Sequence, residues 1–199
     1  MVTLASRVQA PWQDAHFVGG HPALDLTNTV YDRHQPVADG ELLKDPSDVL
    51  TWCVSAGLAG TMPSPAATDA LVAEVRAVRE QAWAVFDAIA HGAPVPPEPF
   101  GLLLERAGAG VRARRVEPDG AAPHRFTADW SAPGAIPAAL SLLVVNAVFT
   151  LPHDRIRACG RCGWLFLDSS RGGRRRWCSM SICGNREKAR RHRQSRAPQ

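Results

Sequence analysis

Apolar residues recur at helical spacing along most of this chain, and the recurrence is broken into blocks by clusters of Gly and Pro. The clearest block runs from Thr68 to His91, where Leu71, Val75, Val78, Ala82, Val85 and Ile89 share one face of a long helix ended by Gly92. Asp45-Pro46-Ser47-Asp48 has the chemistry of a helix start: an Asp cap, Pro at the first position and an acid in the first turn. Val49, Leu50, Trp52, Cys53 and Leu58 continue that helix towards Gly57 or Gly60, and Cys53 reads as a small buried hydrophobe. Thr61 to Ala67 is a linker, Ala93 to Pro99 a rigid connector, and Phe100 to Ala107 a short helix. Ala135 to Leu151 is the most apolar run and predicts a buried helix. It is too short for a membrane span and is interrupted by Pro137, Ser141 and Asn146.

Strand character is confined to two places. Val111–Glu117 and Arg125–Trp130 flank the turn signal Pro118-Asp119-Gly120, which predicts a small hairpin with Arg112, Arg114 and Arg115 on a solvated edge strand. Trp164–Leu167 and Arg175–Cys178 flank the polar turn Ser169–Gly173 and predict a second hairpin. The segment from Pro22 reads in two ways. As a helix it places Asp25, Asn28, Thr29 and Asp32 on one face; as a strand it alternates Leu24, Leu26 and Val30 with polar residues. The helical reading is preferred, with the polar stripe tying backbone or, together with Asn146, lining a small-molecule pocket through Asp25, Asn28 and Thr29. Residues before about Gln13 show no period. The expected architecture is a mainly α domain with a small β-hairpin (α+β) over residues 1–152, then a small module over 153–199.

Charge sharpens that division. The 199-residue chain carries 23 Lys and Arg against 19 Asp and Glu. From His153 onward there are 13 basic residues and 3 acidic ones, a surplus of ten, which leaves 10 against 16 in the remainder. An acidic body with a basic tail points to a polyanion as partner of the tail alone. Nearly all of these cations are arginine, which suits forked contacts to phosphate or guanine.

The same basic tail holds four of the five cysteines, as Cys159-x2-Cys162 and Cys178-x4-Cys183. Two close pairs separated by a span of one hairpin supply four thiolates to a single tetrahedral zinc ion, one structural Zn2+ per chain. Disulfides or four free thiols are the alternatives. Disulfides suit a secreted chain, and the N-terminus shows no basic stretch followed by an apolar one. Cys183 falls where a helix should begin, so knuckle, hairpin and helix together outline a treble-clef-like zinc finger with four cysteine ligands. Four sulfur ligands leave zinc no open position, and the chain has no HExxH, Walker or GxSxG motif, so an enzyme is not expected.

The run Arg171–Arg191, with Cys183-Gly184-Asn185-Arg186 and the outlying Trp164–Asp168 and Trp177–Met180, resembles the CGNR zinc-finger family. Phe17 to Thr29, FVGGHPALDLTNT, resembles the opening motif of the ABATE domain that commonly precedes that finger. The resemblance implies a bacterial, stress-linked transcription regulator, cytoplasmic, with nucleic acid bound by the finger. Arg186, Arg190 and Arg193 follow i, i+4, i+7 on one helical face, with Asn185, Lys188 and Arg191 beside them and Arg174, Arg175 and Arg176 on the hairpin. These nine form the candidate nucleic-acid surface, DNA ahead of RNA, with Asn185 and Arg186 serving either base edges or the finger's own scaffold. The acidic body is expected to sense a small-molecule effector or to form a homodimer. An RNA-binding module, or a protein-interaction module with purely structural zinc, is the alternative.

Overall fold

A computed structural model describes residues 12–35, 37–60, 69–119 and 126–196. The aperiodic residues 1–11, the Thr61–Ala67 linker, Thr68, Gly120 and Arg125 fall outside them. Six α-helices are present among the described residues: α1 (Pro22–Thr27), α2 (Pro46–Ser55), α3 (Asp69–Ala90), α4 (Pro97–Arg112), α5 (Ala135–Thr150) and α6 (Asn185–Arg196). Two antiparallel pairs accompany them, β1 (Val116–Pro118) with β2 (Phe126–Ala128), and β3 (Ile156–Ala158) with β4 (Leu165–Leu167).

Helix α3 is the hub, packed against α1, α2, α4, α5 and the β3–β4 pair. Its periodic face Val75, Val78, Ala82, Val85 and Phe86 is buried with Leu24, Leu26, Leu103, Leu140 and Val144 in one core. Helix α2 begins as its sequence predicts: the Asp45 carboxylate accepts from the backbone N–H of Ser47 and Asp48, and Asp48 reaches back to Asp45 N–H at 3.2 Å. Burial pushes the Cys53 thiol up to about 12, so it is an inert apolar filler.

Three elements differ from expectation. Helix α4 starts three residues early, at Pro97, and runs through Arg112, absorbing the head of the expected strand. Close helix packing is the reason. Gly110 lies against Ala138 of α5, where a Cβ would overlap the Ala138 methyl, and just past the helix end Arg114 takes a φ of 54°. Helix α1 ends at Thr27, so Asn28 is its C-cap and Thr29 and Asp32 lie beyond it. The expected four-residue helical face therefore does not form. In the C-terminal module, residues 174–178 are not a strand. β4 pairs instead with β3, a strand not anticipated, in the register Ile156–Leu167, Arg157–Phe166 and Ala158–Leu165.

That pairing fuses the two segments of the chain. Ile156 and Leu165 are fully buried in the main core. The Asn28 carboxamide donates to Leu165 C=O and accepts from Leu165 N–H, both at 2.8 Å. Leu167 N–H donates to Gly19 C=O at 2.8 Å, Trp164 Nε1 to Val30 C=O at 2.6 Å, and Arg33 N–H to Cys162 C=O at 2.9 Å. Arg33 is held in turn by Glu80 at 2.8 Å and by the Trp83 ring, with its guanidinium carbon 4.8 Å from the centroid. Arg79, buried beside it, bonds Glu41 at 2.6 Å and Glu80 at 2.7 Å.

Asn28 lies in the middle of these ties, so Asn28→Ala leaves two buried backbone groups of Leu165 unpaired. The expected cost is about 2–5 kcal/mol, read by urea denaturation, since each orphaned group costs about 1–3 kcal/mol. A loss within ~0.5 kcal/mol, the range of a neutral surface change, would show that the tie contributes nothing.

Candidate metal centre and nucleic-acid interface

The first cysteine pair sits on the loop of the β3–β4 hairpin. Cys159 N–H donates to Trp164 C=O at 2.8 Å and Gly163 N–H to Cys159 C=O at 2.9 Å, closing a tight knuckle in which both sulfurs turn to the same side. The second pair arrives differently. Asp168 accepts from the backbone N–H of Ser170 at 2.9 Å and of Arg175 at 2.8 Å, which folds residues 168–175 back over the hairpin without a strand. Ser170 first, then Arg175, holds the Asp168 carboxyl down at about 2. Gly160 N–H then donates to Arg176 C=O at 3.1 Å, bringing Cys178 to the knuckle.

Cys183 lies in a wide turn, Met180–Gly184, whose start is capped by Ser179, and α6 follows from Asn185. Gly184 leaves room there for the Met180 and Trp177 side chains. A Cβ would come within 2.7 Å of the Met180 sulfur and 3.3 Å of the Trp177 ring. The resulting geometry is that of a treble-clef-like finger.

Cys159, Cys162, Cys178 and Cys183 are all buried, with their sulfurs within 4.8 Å of one another. The pairs 162–178 and 178–183 are 3.7 Å apart and 162–183 is 3.6 Å. Sulfur atoms bound tetrahedrally at about 2.3 Å from zinc would be roughly 3.8 Å from each other. A disulfide bond is about 2.05 Å, so these are ligand separations, not bonds. The protonation chemistry agrees. Hydrogen bonds from Cys162 and Cys178 hold the Cys159 thiol far below its usual range, while those same contacts push Cys162 and Cys178 up and burial raises Cys183. One thiolate is stabilised at the expense of the others, and a divalent cation is what allows all four. The donor set fits one structural zinc.

Residues 20–153 match the family model for the ABATE domain, described as a putative stress-induced transcription regulator. The chain belongs to the ABATE family. Its residues 155–196 match the CGNR zinc finger, so the ABATE domain ends where the finger begins. No match was found among curated proteins. No helix among the described residues is long and apolar enough to cross a membrane.

The finger presents its cations unequally. Arg174, Arg176, Lys188 and Arg193 are exposed and have no carboxylate partner among the described residues. Arg176 lies over the Trp177 ring at 5.4 Å. Arg190 and Arg191 share one acid, Glu187, at 2.7 and 3.1 Å. Arg190 chiefly, then Arg191, holds that carboxyl down at about 2. Arg175 is drawn inward, its guanidinium stacked over Phe166 at 4.6 Å and donating to Cys178 C=O at 2.8 Å. Asn185 donates to Ser181 C=O at 3.3 Å, and Arg186 reaches across to the Tyr31 hydroxyl of the ABATE domain at 3.1 Å.

The four residues considered for a small-molecule pocket are separated. Asp25 accepts from Gly19 N–H at 2.7 Å, and burial raises its carboxyl to about 6. Thr29 donates to Leu26 C=O at 2.8 Å, Asn28 serves Leu165, and Asn146 alone lines a cavity. Sequence reasoning missed Glu187, Asp168 and Tyr31. Glu187 was legible from its i+3 and i+4 arginines, and Asp168 from its Asp-Ser-Ser turn, whereas nothing local marks Tyr31.

Cys178→Ser should reduce zinc from one per chain to near zero by metal analysis, with loss of the 12-residue α6 signal in circular dichroism. Because Ile156 and Leu165 lie in the shared core, the thermal midpoint of the remaining helices should fall as well. An unchanged midpoint would show that the finger folds apart from the ABATE domain.

Glu187 also has a defined pH window. Its folded value lies below the ordinary 4.5, so the stability it adds is complete above about pH 4.5 and is lost as pH falls towards 2. Glu187→Gln should remove that contribution, so that loss of α6 helicity between pH 6 and pH 2 coincides with zinc release, whereas in the parent chain it also follows Glu187.

Proposed function

We propose that this chain is a DNA-binding transcription regulator whose finger grips the phosphate backbone and whose ABATE domain carries the regulatory input. The observation that carries the reading is the outward set Arg174, Arg176, Lys188 and Arg193, unneutralised on a module rigidified by zinc. The family description and the division between acidic body and basic finger support it. Helix α6 is exposed along its cationic side and is of a size to enter a DNA major groove about 12 Å wide. The deep, narrow major groove of duplex RNA would not admit it.

Arg190 and Arg191 add less to affinity than their number suggests, because Glu187 already neutralises part of their charge. Arg186 stands between two roles, a base contact and the bond to Tyr31.

Selection from random duplex DNA and RNA pools at matched salt tests the reading, and preferential enrichment of RNA would overturn it. On selected DNA, four phosphate contacts should give a slope of log affinity against log salt of about −4, and Arg193→Ala should reduce its magnitude by about one. Arg186→Ala should lower the ratio of specific to random binding about tenfold or more if the side chain reads a base, while Tyr31→Phe leaves that ratio unchanged.

A further inference from the structure

The ABATE domain carries a half-open pocket of about 460 Å³ whose described lining includes no residue of the finger. Its described walls come from four elements: His21 at the head of α1, Leu58 after α2, Phe126 of β2, and Leu143, Asn146 and Thr150 of α5. The volume is in the range of small-molecule sites, which are apolar chambers with few polar groups. The three α5 residues follow i, i+3, i+7 and so form one row along a largely buried helix.

The polar groups in this chamber have defined characters. His21 Nδ1 accepts from the backbone N–H of Ala23 at 3.2 Å, so the neutral ring carries its proton on Nε2. That Nε2–H has no partner among the described residues. Burial lowers the His21 pKa, which keeps the ring neutral and a single donor. Thr150 donates to Asn146 C=O at 2.9 Å and keeps a lone pair for a ligand. The Asn146 carboxamide, with two donors and an acceptor, can serve a ligand while retaining its protein partner. No charged side chain stands among the described walls. An ion seated against these walls would give up part of its hydration and meet no counter-charge from them.

We propose that this cavity binds a neutral, largely apolar small molecule bearing a hydrogen-bond acceptor for His21 Nε2, and that such a molecule is the effector of the regulator. The effector role rests on the regulator reading above; the binding itself does not. The route to the finger is short. His21 follows the Gly19–Gly20 turn, Gly19 C=O holds Leu167 N–H at 2.8 Å, and the next residue, Asp168, anchors the backbone of Arg175. A ligand that shifts His21 acts on the segment that places the second cysteine pair and the loop arginines.

The probe pair is coumarin, a neutral aromatic lactone, and coumarin-3-carboxylate, the same frame with a charge, each titrated into full-length zinc-loaded protein without DNA. Coumarin should bind saturably with a Kd on the order of 100 µM, and the carboxylate about tenfold more weakly or not at all. Leu143→Trp, which fills the chamber, should abolish binding. His21→Asn, which preserves a cap on α1 and removes the Nε2 donor, should weaken it about tenfold. Amide resonances of Gly19, Leu167 and Asp168 should shift on saturation. Non-saturable binding, equal affinity for the carboxylate, or indifference to both substitutions would overturn the site. Binding with those three amides unmoved would overturn the effector role. Failure of the finger to bind DNA would sink the regulator reading while leaving the coumarin titration as it stands.

Discussion

Four thiols gathered within 4.8 Å in a buried site cannot all ionise beside one another without a divalent cation, and the C-terminal module of this protein depends on that constraint. The finger has little apolar mass of its own. Its satellite core is made of the cysteines with Trp164 and Phe166, rimmed by Val18, Trp177 and Ile182. Zinc supplies the cohesion that so small a core lacks, and residues that contribute no sulfur are placed to serve the ligands. Gly184 admits the Met180 and Trp177 side chains, Arg175 covers Phe166, and Asp168 fixes the return of the chain.

The finger is nevertheless no free appendage. Its hairpin gives Ile156 and Leu165 to the main core, and its backbone is read by Asn28, Val30, Arg33 and Gly19. Buried backbone groups must be paired, so this docking is specific in register as well as apolar. Loss of metal is therefore transmitted into the ABATE domain, and changes near the Gly19–His21 turn are transmitted to the finger. The effector role proposed above would use a path of this kind, built from direct contacts.

Charge is distributed to the same end. The buried cations Arg33 and Arg79 of the ABATE domain face its own acids, Glu80 and Glu41. In the finger, Glu187, Phe166 and Tyr31 hold Arg190, Arg191, Arg175 and Arg186, while Arg174, Arg176, Lys188 and Arg193 stay outward. In the proposed DNA binding, an acidic body would repel the polyanion and a basic finger attract it, orienting the encounter before any contact forms.

Much of this was readable along the chain. The Asp45 cap, the periodic face of α3, the buried α5 and the four ligands follow from local propensity, from 3.6-residue periodicity and from ligand spacing, all of which act over a few residues. The sequence alone also determined the partition of charge. What it could not show is who pairs with whom at a distance. Trp164–Leu167 is plainly a strand, yet whether it pairs forward with Arg175–Cys178 or backward with Ile156–Ala158 is set by burial of Ile156 in a core built by helices elsewhere. The length of α4 was decided by the fit of Gly110 to Ala138. Asn28 could have lined a pocket; its partner is Leu165, 137 residues away, and only the folded chain brings a carboxamide to that backbone. Local chemistry chooses elements and ligands, whereas long-range packing chooses partners, because a side chain's hydrogen bonds are fixed by whatever surface the core brings beside it.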